Sequence, residues 1–185
     1  TLHYTLGVEI YTQLAQDMQP TAGQGNRYRR TALSFRDSAL PKVFTAGLRA
    51  LQQIQDGTMQ IANDQERHGV LRNALKLTST SLSFDFMGTV PDETSDDQAT
   101  IMVPNSWAML RNENIASMFF SLYTTCVDAT WFQCADLCLQ NLVLFASLRR
   151  SFFQKDDMRS KNLGSMIVGT NNILANKIGF RDQNC

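Results

Sequence analysis

Apolar residues in this chain recur every three or four positions and nowhere alternate over the length of a strand, which commits the backbone to helices. In residues 2–18, Leu2, Leu6, Ile10, Leu14 and Met18 fall one turn apart with Val8 and Tyr11 beside them. That spacing predicts an amphipathic helix whose Leu and Ile stripe faces a core. Residues 20–26 read as a loop rich in Gly and polar side chains, and 27–35 as a short helix. Ser38 is placed to cap the next helix, with Pro41 in its first turn and Gly57 just past its end. Leu40, Val43, Phe44, Leu48, Leu51 and Ile54 form its inner face. Residues 64–84 predict a further helix turning Val70, Leu71, Ala74, Leu75, Leu77 and Leu82 inward. Its Thr78-Ser79-Thr80 run is a weak point, because hydroxyl and β-branched residues have modest helix propensity.

The second half reads the same way. Residues 101–103 are a short extended piece, and Asn105 or Ser106 starts a helical turn carrying Trp107 and Leu110. Residues 115–126 form a helix with Met118, Phe119, Leu122 and Tyr123 inside. The most apolar run, 128–153, reads as one long helix buried on most sides, with Gln133, Asp136, Gln140 and Ser147 as a narrow polar stripe. Asp136 near its centre argues against a membrane span. A last helix over 156–177 uses Leu163, Met166, Ile167, Ile173 and Leu174 and stops at Gly179. Asp156 and Asp157 in its first turn and Lys177 in its last match the helix dipole. About seven helices at intervals of roughly 30 to 45 residues suit an all-α, HEAT/armadillo-like α-solenoid, a superhelix of paired helices. Residues 1–185 are then one solenoid segment of about three to four helix pairs, with an acidic inter-repeat loop at 87–100. A compact helical bundle is the rival architecture.

Composition narrows the function. Hydrophobic residues make up 43% of the chain and charged ones 18%, enough to bury a core. The 17 Lys and Arg balance 17 Asp and Glu, which argues against a nucleic-acid binder held by phosphate contacts. Charge is nevertheless separated locally. Arg27, Arg29, Arg30, Arg36 and Lys42 cluster early, whereas the stretch between Lys76 and Arg111 has acids and no Lys or Arg. No signal peptide or Asn-x-Ser/Thr site is present, and Cys126, Cys134 and Cys138 sit in apolar helical surroundings. These features favour a reducing nuclear or cytosolic setting. Residue 1 is Thr at the start of a helix, which reads as a piece of a longer protein. Phosphate loops and zinc-protease motifs are absent and the two histidines stand in plain settings, so the reading is of a binding protein and not an enzyme, with no cofactor and no metal.

The run Leu75-Lys76-Leu77-Thr78-Ser79-Thr80-Ser81-Leu82-Ser83-Phe84-Asp85-Phe86-Met87-Gly88-Thr89-Val90-Pro91-Asp92-Glu93-Thr94-Ser95-Asp96-Asp97 resembles the segment that exportin-7-type nuclear transport receptors carry between two helical repeats. Ser34-Phe35-Arg36-Asp37-Ser38 with Leu40, Pro104 with Ser106-Trp107, and Ala146-Ser147-Leu148-Arg149-Arg150-Ser151 with Phe153 extend the likeness in the family's order. It covers residues 1 to 155 and weakens from Met158 onward. The linkers at 23–25, 55–63 and 126–131 depart from the family pattern.

The resemblance implies an importin-β superfamily solenoid of HEAT repeats that binds GTP-loaded Ran and protein cargo, meets nuclear pore proteins and shuttles between nucleus and cytoplasm. It implies no nucleic-acid or membrane partner. The alternative is a Ran-independent scaffold on the same solenoid. Candidate contact residues are Asp92, Glu93, Asp96 and Asp97, whose negative potential suits a basic face, and Arg149 and Arg150. The plainer readings are a solvated loop and charges that complement a helix C-terminus. Arg36 and Asp37 are expected to pair across an inter-repeat junction. Cys134 and Cys138, one turn apart, are read as core packing because a metal site needs more ligands.

Overall fold

The computed structural model describes residues 2–19, 25–84, 101, 103–112, 114–149, 152–153 and 155–182, without the side chains of 2, 3, 105 and 176–182. Its helices are α1 (Leu2–Asp17), α2 (Asn26–Ser38), α3 (Leu40–Gln55), α4 (Asp64–Leu82), α5 (Asn114–Asp128), α6 (Phe132–Ala146) and α7 (Asp156–Asp182), with a 3-10 helix at Asn105–Arg111 before α5.

α3 and α4 form an antiparallel pair, closed where Arg67 Nη2 donates to Ile54 O at 3.0 Å. α5 and α6 form a second. Between them α4 and α6 run parallel. Cys134 Sγ meets His68 O at 3.9 Å, and two turns further on Asn141 Nδ2 donates to Leu75 O at 3.0 Å, both across 66 residues. On its other flank α4 packs against α1, and Gln19 Nε2 reaches Ser83 O across 64 residues at 3.3 Å. Equivalent positions therefore recur every 64–66 residues, and α1, α4 and α6 make one layer. The other layer is α3, continued by the 3-10 helix, α5 and α7. This two-layer stacking is an all-α solenoid of the HEAT/armadillo kind. Its period exceeds the one inferred from helix spacing because α2 and the 3-10 helix are inserted before the second-layer helices.

Local chemistry explains most element boundaries. Gly57, at φ 67°, ends α3 in a left-handed turn, with Thr58 N–H donating to Gln53 O and Gly57 N–H to Ile54 O. Asn63 caps α4 by accepting from Glu66 N–H at 2.8 Å, and Glu66 Oε2 accepts from Ala62 N–H at 2.9 Å. The Asn-x-x-Glu spacing is that of a capping box. Ile101 is extended as expected. It forms a parallel bridge with Leu148, donating to Ser147 O at 2.7 Å and accepting from Arg149 N–H at 3.1 Å.

Several expectations are corrected. Ser38 does not cap α3; it is the last residue of α2 and donates to Ser34 O at 2.5 Å. Only Ala39 separates the two helices, and Pro41, unable to continue α2, sets the bend. The run 128–153 is not one helix. Thr130 at φ 60° makes a tight turn, α6 starts at Phe132, and the Ile101 bridge draws the chain away after Ala146. The exposed face of α6 is wider than the expected polar stripe, since it takes in Phe132 at 64% and Val143 at 66% exposure. α7 runs through Gly179 to Asp182.

α1 also turns unexpectedly. Val8, Thr12 and Ala15 pack inward, while Leu6 and Ile10 of the predicted stripe are exposed, Ile10 at 65%, and Leu14 and Met18 are half-buried. Small residues let α1 lie close to α4, and the Thr12 hydroxyl is satisfied by Val8 O at 2.8 Å. α7 likewise leaves Leu163, Ile167, Val168 and Leu174 exposed.

α3 and α4 approach closely in the core. A Cβ on Gly47 would lie 2.9 Å from Thr78 Cγ2, and the Thr78 hydroxyl, bonded to Leu75 O at 2.9 Å, fixes that methyl in place. Gly47→Ala should therefore destabilise the chain despite a helix-propensity gain of about 1 kcal/mol. In a Thr78→Ser background the same change should become neutral or stabilising, a coupling of roughly 1 kcal/mol or more by chemical denaturation. A second expectation follows from the exposed stripes on α1 and α7. The isolated chain should self-associate with rising concentration in sedimentation, and Ile10→Glu should weaken that association. A clean monomer at high concentration would contradict it.

Candidate functional site

The acidic residues Asp92, Glu93, Asp96 and Asp97, and Arg150, lie outside the described residues. Arg149 is half-buried, three residues beyond the end of α6 and not within its last turn, with its backbone held to Ile101. Of the sequence candidates, Arg149 alone lies within the described residues. Arg36 and Asp37 do pair, Nε to Oδ1 at 2.7 Å and Nη2 to Oδ2 at 3.2 Å, but within α2 and not between repeats. Arg111, not singled out from sequence, ties the segment after α6 to the 3-10 helix. Its Nε donates to Phe152 O at 2.9 Å and its guanidinium lies 4.6 Å from the Phe152 ring centroid.

A concave surface opens instead in the second layer, between the last turns of α3 and the first half of α5. Its volume is about 520 Å³, within the range of small-ligand sites. Its apolar lining is Leu48, Met109, Ile115 and Met118, and its polar lining includes Gln52, Gln55, Asn112, Ser117 and Asp56. The turn at Gly57 carries the chain away and leaves the end of α3 open to this groove. Asn112 caps α5, its Oδ1 accepting from Asn114 N–H at 3.0 Å and its backbone O from Ile115 N–H at 3.2 Å. Amides, hydroxyls, thioethers and the Asp56 carboxylate give the groove both hydrogen-bonding and apolar contacts.

Cys126, Cys134 and Cys138 are fully buried where α5 meets α6. The neighbouring Cys134 thiol lowers Cys126, but the Cys138 thiol and burial push it up to about 12. Cys134 is raised by its bond to Cys126 and by burial. Such thiols are unreactive. His68, distant in sequence, is close in space: its ring stacks at 5.3 Å on Trp131. Among the described residues no group of three or more His, Cys, Asp or Glu could hold a metal, and no helix is long and apolar enough to cross a membrane.

The layering defines a helical-repeat protein. Sequence comparison gives its relatives. The chain is 35% identical over 182 residues to Exportin-7-A of Xenopus laevis. It is 33% identical over 187 residues to Ran-binding protein 17 of Homo sapiens, and 27% over 186 residues to Exportin-7 of Dictyostelium discoideum. These alignments take in 97% or 98% of the chain, which spans only 16% or 17% of the length of these relatives. No family model matches, and no solved structure matches. The chain is therefore related, over nearly its whole length, to exportin-7 and the Ran-binding proteins.

The thiol cluster predicts an alkaline limit. Between the ordinary thiol range and pH 12 the unfolded chain has released protons that folded Cys126 keeps, so stability falls as pH rises through that window. Tyr4, raised by burial, adds to the same trend. Denaturation midpoints should drop above about pH 9, and Cys126→Ser should flatten the drop.

Proposed function

We propose that the chain is a segment of a nuclear transport receptor that binds GTP-loaded Ran and protein cargo and passes through the nuclear pore by contacting pore proteins. The observation that carries this reading is the similarity to exportin-7 and Ran-binding protein 17 over 97% of the chain. The layered stacking of α1, α4 and α6 supports it, since a continuous helical wall is what a solenoid presents to large partners. Function is binding, with cargo and Ran coupled through a shared free energy of typically ~1–3 kcal/mol. Such a receptor moves between nucleus and cytoplasm.

The test compares this chain, and a longer chain containing it, for binding to Ran loaded with GTP or GDP. The longer chain should bind the GTP form selectively, by roughly tenfold or more. Binding by this chain would locate Ran contacts within it. Equal binding to both forms, or none, by the longer chain would shift the reading to a Ran-independent scaffold.

A further inference from the structure

The groove between α3 and α5 has a floor and a rim of different chemistry. Leu48, Ile115 and two methionines, Met109 and Met118, make a soft apolar floor that accepts side chains of varied shape. Gln52, Gln55, Asn112 and Asn114 stand around it. Each carboxamide carries a donor and an acceptor, the complement of a peptide group, so an extended backbone can be held along the rim while a side chain drops to the floor. Asn112 contributes through its NH₂, since its carbonyl oxygen is engaged by Asn114 N–H.

Charge sets the second requirement. Asp56 lines the groove, and among the described residues no Lys or Arg does. It caps the C-terminus of α3 and is exposed, while the Arg67 guanidinium that meets Ile54 O does not line the groove. The positive end of α5 is muted, because the Asn114 and Ile115 N–H groups are both taken by Asn112. The groove therefore presents one carboxylate, Asp56, at its α3 end and no cation among its lining residues.

We infer that this groove is a docking site for an extended segment of a partner protein carrying a large apolar anchor next to a Lys or Arg. The anchor fills the Met and Leu floor, the rim amides bond the flanking backbone, and the cation meets Asp56. This interaction is separate from the Ran reading and needs no nucleotide, so each stands or falls alone.

The probe is a fluorescein-labelled short Gly-Ser peptide with a central Leu-Lys pair, titrated against the chain without Ran and followed by anisotropy. Replacing Leu by Ser should weaken binding roughly tenfold or more, and replacing Lys by Glu by about threefold or more. Asp56 is exposed at a helix end, so Asp56→Lys should fold normally and invert the preference in favour of Leu-Glu. Ser117→Trp, on the exposed side of α5, should block the groove and abolish binding of every peptide. Absence of saturable binding by the Leu-Lys peptide would overturn the inference. So would equal binding of Leu-Lys and Ser-Lys, or a charge preference that Asp56→Lys leaves unchanged.

Discussion

Helix α4 has neighbours on three sides, and its middle must therefore be narrow. α3 approaches at Gly47 against Thr78, α6 sends Asn141 to the Leu75 carbonyl, and α1 lays Val8 against Leu77 and Val43. Three helices can converge there only if the side chains between them are small. Thr78, Ser79 and Ser81 meet that need, and each satisfies its hydroxyl on a carbonyl one turn back. Buried hydroxyls bonded in this way avoid the cost of an unpaired polar group. The same carbonyl of Leu75 accepts from both Thr78 and Asn141, which fixes how α6 is set against α4.

Helix propensity and packing pull in opposite directions at this position. Propensity alone makes Thr78-Ser79-Thr80 a weak point, and in an isolated helix it would be one. Packing reverses the effect, because the residues that form poor helices alone are those that admit two further helices. The exposed stripe of α1 has the same origin. Leu6 and Ile10 are the larger apolar residues, but Val8, Thr12 and Ala15 permit close contact with α4. A hydrophobic pattern identifies an amphipathic helix without saying which flank meets which neighbour.

The features legible in the sequence are those set by local signals. Helix positions, the Gly57 stop, the extended Ile101 and the buried Trp107 and Leu110 depend on a few adjacent residues. The break at Thr130 depends on a left-handed residue that is not Gly, and the course of α7 through Gly179 on a glycine that does not stop a helix; neither has a sequence rule that applies reliably. The groove is illegible for another reason. Its floor joins Leu48 of α3 to Met118 of α5, with α4 between them in sequence, and each is an ordinary apolar residue in its own helix. The acidic loop stands out in sequence because its residues are consecutive, and runs of the same kind carry the exportin-7-type likeness.

If the convergence on α4 organises the stack, its backbone must open last. Hydrogen exchange read by mass spectrometry on the native chain measures this directly. The account predicts that amides of residues 70–82 are the slowest to exchange, slower than those of α1 and α7, which each pack along fewer neighbours. Exchange in that segment as fast as in α1 or α7 would show that the stack does not depend on α4, and would contradict the account.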